Sequence, residues 1–298
     1  MASSTADLAD ITEWQIDFSS RPLIDDRKKK IWELNVCDAS GRLRHAEYFP
    51  NNKVNSVTLR KALQGVAERY GAPLPERAIF FRVQMQTIIG TALKQLGVET
   101  VPSMRCHELM DWLEERTATV YPAHPDFDPD AAPSLLMDVP QPTDLPEAMI
   151  GEQWEFVQFP LAGVEEEVRE VEAGRAFGAV FDVAKQQVGR ALGPDDLIPG
   201  VVVFSRRAKP ISALHMGLEI SGLKAYPERG YTVLEYGGNQ GHKYSFFDKM
   251  DETLEEAVMW EKSKAELGGL HFLAIMESPE ADMCTGFWIL RSREPPSI

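Results

Sequence analysis

The chain has 298 residues, 44% of them apolar and 26% charged, with a net charge of −15. This composition excludes an unfolded polar chain and supplies enough apolar material for one large core or two ordinary ones. No apolar run approaches the roughly 20 residues of a bilayer span, and the acidic balance argues against tight, indiscriminate binding to nucleic acid, where phosphate neutralisation dominates affinity.

The charge is unevenly spread. Arg42–Arg105 holds 10 Lys and Arg against 4 Asp and Glu, a local net of +6 inside an acidic chain, and local field matters more than the total. The three cysteines, Cys37, Cys106 and Cys284, include no C-x-x-C pair. They make neither a disulfide framework nor a zinc site and fit a reducing compartment. The opening MASSTADLAD has acids and neither an apolar core nor Arg. It reads as neither a secretory signal nor a transit peptide, so an organellar location requires that the targeting segment be already removed.

In chain order, Ile11–Phe18, Lys28–Asp38 and Arg42–Phe49 read as three strands of an antiparallel meander, the last two joined by the turn Ala39-Ser40-Gly41. Asn55–Tyr70 is a helix with Ser56 as N-cap and Gly71 at its end. Ala78–Val83 is a short apolar strand, and Gln84–Leu96 places Met85, Ile88, Ile89, Ala92, Leu93 and Leu96 at helical spacing, closed by Gly97. Val98–Val101 is a strand, followed by a helix from Arg105 to Val120. The order β-β-β-α-β-α-β-α matches a ribonuclease H-like fold. Such folds cut nucleic acid with carboxylate-held metal ions, and here the acid sets are incomplete. Asp17 is suitably placed, the Ala78 strand has no acid, and Asn35 stands where an acid-then-Glu-x-Lys pattern through Asp26 and Glu33 needs its lysine.

Tyr121–Gly151 holds Pro122, Pro125, Pro129, Pro133, Pro140, Pro142 and Pro146 among acids. It reads as an extended linker, dividing an N-terminal α/β domain (1–121) from a C-terminal one (152–298) across 122–151. The second half predicts strands at Trp154–Phe159, Phe177–Val183, Gly200–Ser205, Leu218–Ser221, Gly230–Tyr236, Tyr244–Phe247, Leu270–Met276 and Gly286–Arg291. It predicts helices at Val164–Glu172, Pro210–Met216 and Glu252–Leu267. Strand, Arg and helix recur at 78–96 and 200–216, followed by Gly-Val-Glu at 97–99 and Gly-Leu-Glu at 217–219, a short match consistent with a related second domain. The glycine-rich Gly237–Lys243 lies between strands and reads as a hairpin tip. There is no Walker loop, dinucleotide motif, G-x-S-x-G or H-E-x-x-H, and no cofactor is implied. His271, in an apolar strand, reads as a hydrogen-bonded core residue. Trp288 reads as a core aromatic or a stacking surface for an unpaired base.

Several long ungapped stretches resemble one family: WQIDFSSRPLIDDRKKKIWELNVCD (14–38), YFPNNKVNSVTL (48–59), PLPERAIFFRVQMQTII (73–89), VPSMRCHELMDWLEERTATVYPAHP (101–125), LIPGVVVFSRRAKPISALHMGLE (197–219) and GGLHFLAIMESPEADMCTGFWIL (268–290). Together they are similar to the Tab-two translation factors of oxygenic photosynthetic organisms. The resemblance implies a stromal protein, cytoplasmic in cyanobacteria. It implies binding to A/U-rich RNA, including the 5′ leader of a message for a photosystem I reaction-centre protein, and support of its translation and of photosystem biogenesis. The family's C-terminal tripeptide falls on Trp288, Ile289 and Leu290, where related sequences often carry Leu at the middle position. The family brings no defined catalytic residues.

Single-stranded RNA is recognised by stacking and edge contacts along a positive groove. The candidate RNA-binding residues are therefore Lys28, Lys29, Lys30, Arg82, Gln84, Gln86 and Arg105 in the first half, and Arg206, Arg207, Lys209, Trp288, Ile289 and Leu290 in the second. The expected partners are a single-stranded A/U-rich mRNA leader and other translation or assembly factors, with no membrane insertion and no metal. The competing readings are a protein scaffold for photosystem assembly that does not bind RNA, and a metal-dependent nuclease.

Overall fold

The computed structural model describes residues 8–131, 141–181, 183, 188, 190–237, 240–247 and 252–293. They fall into two compact units, one holding the described residues through Ala131 and the other those from Gln141 to Arg293.

In the first unit the elements follow the expected order: β1 (Glu13–Ile24), β2 (Lys30–Cys37), β3 (Arg44–Phe49), α1 (Ser56–Tyr70), β4 (Arg77–Phe80), α2 (Gln86–Lys94), β5 (Glu99–Pro102) and α3 (His107–Thr119). They build one mixed α/β sheet of order β3-β2-β1-β4-β5. Short turns make β1, β2 and β3 antiparallel, and helical crossovers bring β4 and β5 in parallel to β1. The β2–β3 turn is tied by Asp38, which accepts from the Leu43 and Ser40 amides at 2.8 and 3.1 Å.

The pleat of β1 sorts the core. Trp14, Ile16 and Phe18 face α1 and α2 with Leu34, Leu63, Phe80 and Ile89. On the other face Leu23, Cys37, Ile79 and Phe81 pack with Leu109, Met110 and Leu113 of α3. Two boundaries differ from the sequence reading. The N-cap of α1 is Asn55, whose side chain accepts from the Thr58 amide at 2.9 Å, rather than Ser56. Between β4 and α2 the chain makes a tight 3₁₀ turn at Val83–Met85, so Gln84 lies before the α-helix and not within it.

The second unit contains β6 (Thr143–Asp144), β7 (Gln153–Pro160), α4 (Leu161–Glu172), β8 (Phe177–Ala179), β9 (Leu197–Phe204), α5 (Ala208–Met216), β10 (Ile220–Tyr226), β11 (Tyr231–Tyr236), β12 (Gln240–Phe246), α6 (Glu252–Glu266), β13 (Leu270–Met276) and β14 (Gly286–Arg291). One sheet runs β7-β9-β13-β14-β8 and the other β10-β11-β12-β6. The supposed hairpin tip at 237–243 is shorter than expected, because β12 already begins at Gln240. His271 joins the sheets: its Nε2 accepts from the Leu223 amide and its Nδ1–H donates to the Gly269 carbonyl, both at 2.8 Å.

The repeat read at 78–99 and 200–219 does not extend to topology. In the first unit the strand after the helix, β5, pairs directly with β4, whereas β10, after α5, enters a different sheet from β9. Residues 132–140 of the proline-rich stretch lie outside the described residues, and both of its described ends are tied to strands. Leu23 bridges Phe127, and the Ile24 amide donates to Asp126. Thr143 and Asp144 pair with His242 and Lys243. Proline removes donors, yet the residues between the prolines still have amides to satisfy, and they do so on strand edges.

Candidate nucleic-acid interface

β4 and β5 run in parallel with β1 and finish beside its Ile16, at the end where open α/β sheets receive ligands, while β1 continues to Ile24. The sequence places Arg82, Gln84, Gln86 and Arg105 there, and the lysine turn farther along, beyond Ile24. Lys28–Lys30 form the turn leaving β1, Arg82, Gln84 and Gln86 follow β4, and Arg105 follows β5. The lysine turn is held by Asp25, whose carboxylate accepts from the amides of Arg27 and Lys29 at 2.9 and 2.8 Å, with Lys28 in the left-handed region at φ 57°. Lys28, Lys29, Gln84 and Gln86 are exposed, while Lys30 and Arg105 are half-buried.

Arg82 is different. It is 3% exposed, and its Nε donates to Asp17 Oδ1 at 2.8 Å. Asp17 Oδ2 accepts from Ser19 and from Arg21, each at 2.8 Å. Arg21 Nε and the Tyr121 hydroxyl donate to Glu33 Oε2 at 2.8 and 2.7 Å, and Arg116 Nη2 donates to Glu33 Oε1. Burial alone would raise the Asp17 carboxyl, but the Arg82 and Arg21 guanidiniums outweigh it and hold it below the usual carboxylate range. Burial likewise pushes the Tyr121 hydroxyl up, so it stays protonated and donates.

This network follows from the meander register. Asp17 pairs with Asn35 and Ser19 with Glu33 across β1 and β2, so alternation puts all four side chains, with Arg21, on the α3 face. The arrangement corrects one expectation. Arg82 is a buried partner of Asp17, not a surface cation. Asp17 and Glu33 are each neutralised by guanidiniums instead of opening toward a metal ion. Among the described residues, no group of three or more His, Cys, Asp or Glu side chains is placed to hold one.

The basic segment Arg42–Arg105 is also partly discharged by acids from elsewhere. Arg42 pairs with Asp10, Arg44 with Glu108 and Glu115, and Arg77 with Glu13. Sequence counting missed this because the partners lie outside the counted window.

In the second unit Arg206, Arg207 and Lys209 are exposed where β9 turns into α5. Arg206 Nε lies 3.5 Å from Glu152, and Arg207 donates to the Ile150 carbonyl at 3.0 Å. Trp288, Ile289 and Leu290 lie in mid-strand β14, each 1% exposed. The Trp288 ring packs 5.7 Å from His215. Hydrophobic burial therefore gives this tripeptide to the core, and its surface-stacking alternative is corrected: the Trp288 ring has no face open to a base.

Residues 13–116 match a family model described as RNA-binding protein Tab2/Atab2 N terminal, and residues 132–291 match one described as RNA-binding protein Tab2/Atab2, C-terminal domain. The chain belongs to the Tab2/Atab2 family. A chloroplastic TAB2 homolog of Zea mays is 48% identical over 288 residues, covering 97% of this chain and 73% of that protein. One from Arabidopsis thaliana is 44% identical over 293 residues, covering 98% of this chain and 78% of that protein. A chain in a cryo-EM structure of a simian T-cell lymphotropic virus intasome complexed with a regulatory protein of the phosphatase PP2A is 15% identical and covers 39% of this chain and 40% of that one, at a TM-score of 0.28. That likeness is too weak to place the fold.

Within this Tab2/Atab2 chain, sequence reasoning missed the side chains that rim the buried network. Tyr48, opposite Glu33 on β3, is 37% exposed, and its hydroxyl accepts from Arg116 Nη2 at 3.2 Å. His124 packs edge-on to the Tyr48 ring at 5.3 Å. The signal that reaches Tyr48 in sequence is the meander alternation, which puts it on the face of Glu33 and Asp17.

Proposed function

We propose that this protein binds single-stranded, A/U-rich RNA and thereby activates translation of a photosystem I reaction-centre message in the chloroplast stroma. The observation that carries the reading is the match of both units to a family described as RNA-binding. The chloroplast placement rests on the two plant relatives, both described as chloroplastic. The exposed Lys28 and Lys29 in the turn after β1, and Gln84 and Gln86 with Arg105 past the ends of β4 and β5, supply cationic and amide-rich surface of the kind that tracks an unpaired strand. Arg206, Arg207 and Lys209 are the corresponding surface of the second unit. Other translation or assembly factors are further partners in this reading. No helix among the described residues is long and apolar enough to cross a membrane.

We read the first unit as ribonuclease H-like, supported by the order β3-β2-β1-β4-β5 with β4 and β5 parallel to β1. Its acids sit in ion pairs with arginine, an arrangement that suits holding RNA rather than cutting it.

The test is binding of the purified protein to a labelled A/U-rich single strand against a G/C-rich one, across a salt series with magnesium present. Preferential, salt-sensitive binding with intact RNA supports the reading. No binding at low salt overturns it in favour of a scaffold, and shortened RNA overturns it in favour of a nuclease.

A further inference from the structure

The buried network of the first unit is not electrically balanced. Among the described residues three guanidiniums, Arg21, Arg82 and Arg116, face two carboxylates, Asp17 and Glu33. Tyr121 stays neutral, so one positive charge is left over. An uncompensated charge in such a place is costly and draws an anion. Three donors within the network have no hydrogen-bond partner: Arg82 Nη2, Arg116 Nε and Asn35 Nδ2.

The network reaches solvent through Arg116 and Tyr48. The Arg116 side chain is 11% exposed and is steadied over the Trp112 and Tyr121 rings at 5.3 and 5.5 Å. The Tyr48 ring beside it is the more open of the two, and His124 flanks it. His124 Nδ1 accepts from the Asp126 amide at 3.2 Å, which leaves the proton on Nε2 as a further donor. An exposed aromatic ring next to a rigid, positively charged arginine is the pairing that takes a base on its face and a phosphate at its edge.

We propose that Tyr48, His124 and Arg116 form a nucleotide subsite for single-stranded RNA, the base stacking on Tyr48 and the phosphate held by the surplus charge at Arg116. The subsite rests on the RNA-binding reading and deepens it. It also gives the buried arginines a task. Glu33 fixes the Arg116 guanidinium through Nη2, and Arg82 and Arg21 saturate Asp17, so the carboxylates of the network are engaged; the Asp126 carboxylate lies 3.8 Å from His124 Nδ1, on the side away from the Nε2 donor.

The experiment uses the full chain and an A/U single strand carrying 2-aminopurine, whose fluorescence falls when it stacks. Wild type, Tyr48→Phe, Tyr48→Leu and Arg116→Gln are compared, with thermal unfolding to establish that each is folded. Tyr48→Phe keeps the ring and binds within about twofold of wild type, whereas Tyr48→Leu binds about fivefold more weakly or worse and loses the quenching. Arg116→Gln lowers the salt slope by about 0.7, one phosphate contact on a single strand. A folded Tyr48→Leu protein that binds and quenches like wild type overturns the subsite while RNA binding stands. A wild-type protein that binds no RNA overturns both.

Discussion

Arg82 and Asp17 lie 2.8 Å apart with both side chains buried, one just beyond β4 and the other in the middle of β1. The pair joins two neighbouring parallel strands. It fixes the residue that sequence alone placed on the surface, and it occupies the acid that a nuclease would need free. Removing Arg82 leaves Asp17 with Arg21 as its remaining guanidinium inside the sheet. Arg82→Ala removes a charge-assisted hydrogen bond to a carboxylate that Arg21 still neutralises and costs the first unit about 2 kcal/mol, measured by urea unfolding. A surface arginine would give a change below about 1 kcal/mol.

Burial holds histidines below their ordinary range in both units, His45 on β3 of the first and, more deeply buried, His215 and His271 in the second. Burial pushes His215 down to about 4 and holds His271 well below its ordinary 6.5. The unfolded chain binds these protons at higher pH than the folded one, so their contribution is complete above pH 6.5 and is lost as pH falls toward 4. For His215 the loss reaches about 3 kcal/mol. Asp17 has the opposite chemistry, since its folded carboxyl lies below the ordinary 3.8 of an aspartate. Its contribution survives above that value and fades only as pH drops further. Amide exchange followed from pH 7 to 4 should show β13 losing protection well before β1. In a His215→Gln variant part of that pH slope disappears.

Glycine at two positions makes opposite predictions. Gly269 has φ +86°, and a Cβ there would stand 1.9 Å from the Ser292 carbonyl oxygen. Gly269→Ala costs about 3 kcal/mol or more. Gly90, inside α2, has nothing within 4 Å of its Cβ position, and Gly90→Ala gains about 0.5–1 kcal/mol in helix propensity. Thermal unfolding of the two variants reads both signs.

The first unit was largely legible in the sequence because its signals are local. Asp38 and Gly41 mark a turn, Gly71 closes α1, and apolar spacing defines α2. The second unit was legible as elements but not as sheets. Nothing local tells β10 to leave the sheet of β9, a choice made by distant pairings such as Leu223 with His271. The site failed in the same way. Lysines in an exposed turn are visible as such, but Arg82 looks free until Asp17, 65 residues away, is placed beside it. Trp288 looked like a stacking residue as much as a core one, and only the covering of β14 on both faces decides between them.

The central claim is that the exposed lysine turn between β1 and β2 of the first unit receives the RNA backbone. The most direct test is the salt dependence of A/U-rich RNA binding by wild type and by Lys28→Gln/Lys29→Gln, two exposed side chains in the turn between β1 and β2. The account predicts weaker binding and a log–log slope shallower by about 1.4, two lost single-strand phosphate contacts at about 0.7 each. An unchanged slope and affinity in the double variant would contradict it and move the backbone contact elsewhere on the chain.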